Sequence, residues 1–115
     1  MALTVTTTYP EPGLAQCRWD DLANGNTGNS VSPARWADKT VQVSGTFGAG
    51  GSVTIEGSND GTVWAACHDP QGNALTFTTA GLELCAENPR FMRPNVTAGD
   101  GTTALDVDIV GRQGY

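Results

Sequence analysis

Apolar and polar residues alternate with a period of two along much of the chain after residue 39. Such alternation is typical of half-buried β-strands, because neighbouring side chains of a strand point to opposite faces of a sheet. The residues predicted to face inward are Val41, Val43, Gly45 and Phe47, then Val53 and Ile55, and finally Leu105, Val107 and Ile109. Leu75 and Phe77 mark one further short strand, and Leu82 and Leu84 mark another.

Clusters of turn-forming residues separate these strands. Ser58–Gly61, His68–Asn73 and Ala98–Gly101 each combine Asn or Asp with a glycine that can adopt the left-handed conformation of a tight turn. Pro94 cannot donate a ladder hydrogen bond, so the strand predicted over residues 91–97 lies at a sheet edge or carries a bulge. About seven to eight strands spaced by roughly 8–12 residues indicate an all-β domain, either a single antiparallel β-sandwich or a jelly-roll-like barrel.

The beginning of the chain has a weaker pattern. Residues 1–12 place Leu3, Val5 and Tyr9 in phase before Pro10–Gly13 stops any strand. We therefore expect residues 1–12 to form an extended N-terminal arm.

The alternation is also weak between the arm and the strong strands. We expect residues 13–39 to be a loop-rich segment, in which residues 18–22 form a short strand or a turn. Residues 23–35 are dense in turn formers and are predicted to be a long loop, which makes them the first place to expect a partner contact. Residues 40–115 supply the core of the sandwich, and residues 13–115 are expected to fold as one domain.

Composition narrows the possible functions. The chain has 115 residues, a formal net charge of −6 and a sequence pI near 4.4. This charge disfavours nucleic acid and anionic membranes as ligands, since both require clustered cations. The sequence has neither a run of about 18 apolar residues nor the pattern of a signal peptide, so we expect no membrane partner and residence in the compartment of synthesis.

The three cysteines fit no common framework. Cys17, Cys67 and Cys85 are odd in number and lack C-x-x-C spacing. We expect reduced, buried thiols that act as small apolar residues. A bridge between Cys67 and Cys85 is one alternative, and a nucleophilic or metal-ligating role beside His68 is another.

Candidate catalytic residues are sparse. The single histidine, His68, lies in a turn and is predicted to be solvated or bonded to that turn, with Asp69 accepting hydrogen bonds from its own turn. Asp106 and Asp108 could form a carboxylate pair, but alternation places both on the solvent side of their strand. The acidic turns lack the spacing of a calcium loop, and no phosphate-binding motif occurs. We therefore expect no catalytic residue, no metal and no cofactor.

The tryptophans are the remaining candidates for a binding surface. Trp64 is predicted to pack between the sheets or under a hairpin, although Trp19, Trp36 and Trp64 could instead form a platform that stacks on sugars. Trp36 follows Arg35, and these two residue types are enriched at protein interfaces. Trp36 is therefore either a subunit contact or an anchor that packs its loop on the domain.

Several of these segments resemble a known protein family. Glu56–Gly61 followed by Trp64 is the most distinctive of them. The others are Thr40–Phe47, Val53–Ile55, Asp69–Asn73, Glu87–Arg90, Arg93–Pro94 and Gly99–Thr103. Together, over about residues 40–112, they resemble the small virion proteins of tailed bacteriophages that decorate or cement the outer surface of the capsid.

This resemblance implies a non-enzymatic role in the virion, with assembly in the host bacterial cytoplasm. It implies binding to neighbouring subunits of the major capsid protein and a homo-oligomer, either a trimer or a dimer. The residues expected to contact the capsid or another subunit are Leu3, Val5, Tyr9, Arg35 and Trp36. The alternatives are another tail or head-fibre component, a carbohydrate-binding β-sandwich module, and a small hydrolase.

Overall fold

The computed structural model describes residues 3–33 and 36–113, which form two antiparallel β-sheets. The strands are β1 (Thr6–Glu11), β2 (Leu14–Leu22), β3 (Trp36–Thr46), β4 (Ser52–Ser58), β5 (Ala65–Ala66), β6 (Thr76–Phe77), β7 (Gly81–Cys85), β8 (Phe91–Ala98) and β9 (Ala104–Gln113). The predicted all-β sandwich is confirmed, with nine strands, two of which are only two residues long. Within these two ranges no helix is long and apolar enough to cross a membrane.

The large sheet has the strand order β1-β2-β9-β3-β7. Its central strand, β9, has the most regular alternation, and Leu105, Val107 and Ile109 are fully buried as predicted. Trp19 of β2 pairs with Val107, and Val41 of β3 pairs with Ile109. These pairs place one apolar face of the large sheet against the core.

The small sheet is built around β4. Strand β8 pairs along the whole of β4, while β5 and β6 pair with separate parts of β4 on its other side. Val53 and Ile55 of β4 are fully buried, as the alternation predicts, and Met92 and Val96 of β8 lie beside them in the same core. The two sheets therefore share one apolar interior.

The structure differs from the sequence prediction at β2. A nine-residue strand runs through the segment that was expected to be mostly loop. Ala15, Cys17 and Trp19 are buried, while Gln16 and Arg18 alternate with them on the other face. The period is regular, but small, sulfur-containing and aromatic residues occupy its inward positions, so the apolar signal is weak.

The N-terminal arm is extended, but it is not separate from the domain. Strand β1 pairs with β2 through Thr6 with Arg18 and Thr8 with Gln16, so it forms one edge of the large sheet. Just before β1, Leu3 and Val5 are half-buried and pack against the core. The apolar positions at the start of the arm therefore tie it to its own domain.

The long loop predicted over residues 23–35 is hydrogen-bonded along β8 as far as the structure describes it. The backbone N–H groups of Gly28 and Val31 donate to the carbonyl groups of Pro94 and Met92, at 2.9 and 2.8 Å. Met92 returns a hydrogen bond to Val31 at 2.9 Å. Pro94 therefore lies in a strand at the edge of the small sheet, as predicted, and the loop covers that edge.

Candidate interaction surfaces

The outer edge of β1 is open within the described part of the chain. All six residues of β1 are exposed, and β1 pairs with β2 on one side only. An edge strand of this kind presents unpaired backbone N–H and C=O groups to which another strand can bond. The edge is therefore a candidate site for addition of a strand from another chain.

A shallow depression lies beside this edge, where four strands of the large sheet end. Its volume is about 200 Å³. We call it the aromatic notch, and its lining residues are Tyr9, Gly13, Leu14, Ala15, Trp36 and Gln113. Tyr9 is 74% exposed, whereas Trp36 is half-buried and packs on Gly111, where a Cβ atom would overlap the indole ring. The notch therefore combines the exposed ring of Tyr9 with the indole of Trp36, which packs against Gly111.

The five residues predicted to make contacts are distributed unequally. Tyr9 and Trp36 are brought together in the aromatic notch. Leu3 and Val5 pack against the core of their own domain, and so does Trp36, which agrees with its predicted alternative role as an anchor for its segment. Arg35 lies outside the described residues. Of the original set, Tyr9 and Trp36 are the two that share one surface.

Strand β7, at the opposite edge of the large sheet, carries two exposed leucines. The sequence pattern did not predict whether these side chains face the core or the solvent. Leu82 and Leu84 of β7 are 61% and 45% exposed. They lie on the same side of β7, which pairs with β3 only. Their alternation predicted the strand, but with polar or small neighbours on either side it could not distinguish an inward from an outward leucine.

An ionic cluster covers part of the outer face of the large sheet. The guanidinium of Arg18 lies 2.7 Å from carboxylate oxygens of both Asp20 and Asp108, and 3.5 Å from Asp106. Gln16 also donates to Asp108 at 3.1 Å. Asp106 and Asp108 lie on the predicted outer face, but the prediction that both are solvated is wrong for Asp108, because Arg18 and Gln16 cover it. Both carboxylates of this pair are therefore ion-paired with Arg18.

His68 is held by a carboxylate distant in sequence. Its Nδ1 lies 2.8 Å from Oε2 of Glu87, and its backbone N–H donates to Oε1 of the same residue at 2.6 Å. Burial raises the pKa of Glu87, but the hydrogen bonds from His68 outweigh this and hold it below its ordinary value. Asp69 accepts hydrogen bonds from the backbone N–H groups of Gln71 and Asn73, as predicted.

The carboxylates of two other acidic turns, those of Asp100 and Asp60, also accept hydrogen bonds from backbone N–H groups. Asp100 accepts hydrogen bonds from the N–H groups of Ala49 and Thr102, both at 2.9 Å, and these bonds lower its pKa to about 2. Asp60 accepts from the N–H groups of Thr62 and Val63 in the same way. These contacts confirm that both carboxylates cap turns.

The three tryptophans lie in separate environments. Trp19 is fully buried, and its Nε1–H donates to the carbonyl of Asn29 at 2.9 Å. Trp64 lies on the outer face of the small sheet beneath the guanidinium of Arg93, 4.0 Å from the ring centroid. Arg93 is also paired with Glu56 at 3.0 Å. Trp64 is half-buried and does not belong to the core between the sheets, and the three tryptophans do not form a shared sugar platform.

A cluster of thiols and a lysine lies between the two sheets. The sulfur atoms of Cys67 and Cys85 and a carboxylate oxygen of Glu87 all lie within 4.8 Å of one another. Lys39 is fully buried nearby, and its Nζ–H groups donate to the backbone carbonyl of Trp36 and to Oδ1 of Asn88. The prediction of buried, unbridged cysteines is confirmed for all three. The sequence analysis missed Lys39, although it is in phase with the buried Val41 and Val43.

No protein-family model matches the sequence, and no curated protein matches it. Among solved structures, the chain is similar to the SPBc2 prophage-derived protein YomS, with a TM-score of 0.64 over 85% of this chain and 93% of that chain. The two sequences are 8% identical. The similarity establishes that the two proteins share a fold.

Proposed function

We propose that this protein is a non-enzymatic structural protein of a tailed bacteriophage that binds the outer surface of the capsid and stabilises neighbouring major capsid protein subunits. The observation that carries the proposal is the open edge of β1 beside the aromatic notch. The prophage origin named for the similarly folded protein supports a phage setting. The resemblance of residues 40–112 to capsid decoration proteins supports the more specific role.

Strand addition explains how such a surface would bind. An extended segment of a capsid subunit pairs with the outer edge of β1, and backbone hydrogen bonds supply affinity with little dependence on sequence. Side chains of that segment that enter the notch contact Tyr9 and Trp36 and fix the register. Aromatic anchors of this kind contribute a large share of the binding energy in protein interfaces.

Binding only to assembled subunits is enough to stabilise a shell. A protein that occupies a site spanning two subunits must dissociate before those subunits separate, so occupancy shifts the equilibrium toward the assembled state. A homodimer or homotrimer strengthens this effect because several sites are held together. In this proposal the exposed Leu82 and Leu84 of β7 supply the contact between copies, leaving β1 for the capsid.

The chemistry of the polar residues supports a binding role over catalysis. Within residues 3–33 and 36–113, every buried side-chain nitrogen or oxygen has a hydrogen-bond partner. His68 is hydrogen-bonded to Glu87, and Asp106 and Asp108 are ion-paired with Arg18. The net charge of −6 is also consistent with a protein partner in place of nucleic acid.

The test is co-sedimentation of the purified protein with phage particles separated into heads and tails. We expect it to sediment with heads at a fixed ratio to the major capsid protein and to raise the temperature at which heads release DNA. Recovery with tails alone would replace the proposal by a tail or fibre role. Absence from both fractions would contradict it.

A variant pair connects that result to the notch. Combined Tyr9→Ala and Trp36→Ala substitutions should abolish co-sedimentation, whereas Val63→Ala should not. Val63 is 71% exposed, so the control also removes a surface apolar side chain. Circular dichroism of each variant checks that the fold is retained. If the wild-type protein, the double variant and the Val63→Ala variant all sediment equally with heads, the notch is not the capsid contact.

A further inference from the structure

Two cysteines from different sheets are held close together by the backbone. Cys67 directly follows β5 of the small sheet, and its N–H donates to the carbonyl of Ile55 at 2.9 Å. Cys85 is the last residue of β7 in the large sheet and pairs with Lys39. The two segments are joined by a backbone hydrogen bond from Ala86 to His68 at 2.8 Å. The proximity of the sulfurs therefore does not depend on side-chain rotation alone.

We propose that Cys67 and Cys85 are a modification site at which hydrogen peroxide forms a disulfide bond between the two sheets. The supporting geometry is the separation of the sulfur atoms, which is within 4.8 Å. Both residues are buried, and the protein holds them reduced and unbridged. Forming the bond requires the sulfur atoms to approach from this separation to about 2.05 Å.

The surroundings make one of the two thiols the nucleophile. A hydrogen bond from Cys67 lowers the pKa of Cys85 and raises that of Cys67, while burial raises both. The positive charge of Lys39 lowers the pKa of both thiols, and the negative charge of Glu87 opposes it. Cys85 is therefore the thiol of the pair that loses its proton more readily, and a thiolate is the form that reacts with peroxide.

The reaction balances with hydrogen peroxide as the two-electron oxidant. The Cys85 thiolate attacks one peroxide oxygen, an S–O bond forms, the O–O bond breaks, and the hydroxide released is protonated to water. The Cys67 sulfur then attacks the Cys85 sulfenic acid, the S–S bond forms, and the hydroxyl leaves with the Cys67 proton as a second water. A surface cavity of about 410 Å³ is bordered by Cys67, Glu87 and Asn88, so a small oxidant that enters it reaches the thiol next to Cys85.

A disulfide fits this cluster better than a bound metal ion. Structural zinc takes four ligands, whereas among the described residues three candidate ligands lie together. Both oxygens of Glu87 are already hydrogen-bonded to His68. The buried ammonium of Lys39 also opposes the entry of a divalent cation.

The experiment treats the purified, reduced protein with hydrogen peroxide, denatures it and alkylates the remaining thiols. Before alkylation, the oxidised protein should be about 2 Da lighter than the reduced protein, because two hydrogens are removed. One alkylated cysteine, Cys17, should remain, and peptide mapping should identify a 67–85 crosslink. The oxidised protein should melt about 10 °C higher, since the crosslink constrains the unfolded chain. None of these readouts involves a capsid, so they fail or succeed independently of the proposed function.

Matched variants assign the crosslink. Cys85→Ala and Cys67→Ala should each abolish the mass loss, whereas Cys17→Ala should retain it. Cys17 is a suitable control because it is also buried and burial raises its pKa. If the variants fail to fold, peptide mapping of the wild-type protein decides alone. Three alkylated cysteines after oxidation, a crosslink through Cys17, or one equivalent of zinc in the isolated protein would each overturn the proposal.

Discussion

The two sheets differ in whether an outer edge strand is covered by another part of the chain. The outer edge of β8 is covered by the chain itself, because Gly28 and Val31 hydrogen-bond to its carbonyl groups. The outer edge of β1 has no such cover within the described residues, and all of its side chains are exposed. Folded proteins generally protect sheet edges against unwanted pairing. Under the proposed function β1 is left open for a partner, whereas the covering of the β8 edge stabilises the fold.

The covered edge depends on a buried anchor. Trp19 is fully buried and donates to the carbonyl of Asn29, so it fixes the covering segment from beneath. Among the described residues of the open edge, Tyr9 is 74% exposed, and only the half-buried Leu3 and Val5 just before β1 pack against the core. Substitutions at the covered edge should therefore reduce stability, and substitutions at the open edge should reduce binding.

The largest expected effect is that of Trp19→Ala. Loss of the indole leaves a cavity and releases Asn29, and we expect the free energy of unfolding to fall by about 3–5 kcal/mol. Urea unfolding measures the loss. Trp36→Ala, which removes a half-buried indole beside the open edge, is the matched comparison and should cost less than half as much. Equal losses would contradict the distinction between the two edges.

The second prediction concerns the fit of the covering segment. A Cβ atom at Gly28 would lie 2.6 Å from the ring of Trp19 and 2.8 Å from Pro94. Gly28→Ala should therefore destabilise the protein by about 1–3 kcal/mol through overpacking. In Gly101→Ala the new methyl group meets nothing within 4 Å, so the change should stay within about 0.5 kcal/mol. Thermal unfolding of the two variants side by side tests the difference.

The third prediction places a charge on the open edge. Thr8→Lys adds an exposed cation to β1, and lysine on an edge strand discourages pairing with another strand. We expect capsid affinity to fall about tenfold or more, with stability changed by less than about 0.5 kcal/mol. Thr62→Lys makes the same change of charge at an exposed turn position and should bind normally. Similar affinities for the two variants would show that β1 is not the contact.

The smallest expected effect is at the turn that leaves β8. The folded pKa of Asp100 is depressed to about 2 by hydrogen bonds from Ala49 and Thr102. Its stabilising contribution is therefore present above the ordinary carboxyl pKa and is lost as pH falls from about 4 to 2. Asp100→Asn should lower Tm slightly at pH 7 and have a clearly smaller effect at pH 2, where about half of the Asp100 carboxylates are protonated. An effect of equal size at pH 7 and pH 2 would assign it to another cause.

The sequence predicted the strands whose inward positions hold aliphatic residues. Val41, Val43 and Leu105 are buried as the period of two requires. The pattern was less informative for β2, where Cys17 and Trp19 occupy inward positions without an aliphatic run. Strand pairing was not predictable there, because it depends on contacts distant in the chain.

The interaction surface was predictable only in part. Tyr9 was selected from the alternation of the arm and Trp36 from its position after Arg35, and the fold brings them together through the pairing of β1, β2, β9 and β3. Leu3 and Val5 had the same sequence pattern but pack inward. Periodicity alone does not specify which side of an edge strand faces the core, and the covering role of residues 25–31 required the three-dimensional arrangement.

Hydrogen exchange of the free and capsid-bound protein, measured by mass spectrometry, tests the central claim most directly. The account predicts that the β1 amides facing away from β2 exchange quickly in the free protein and become protected on the capsid, while those along β8 are protected in both states. Unchanged exchange in residues 6–11, with new protection at another surface of the bound protein, would contradict it.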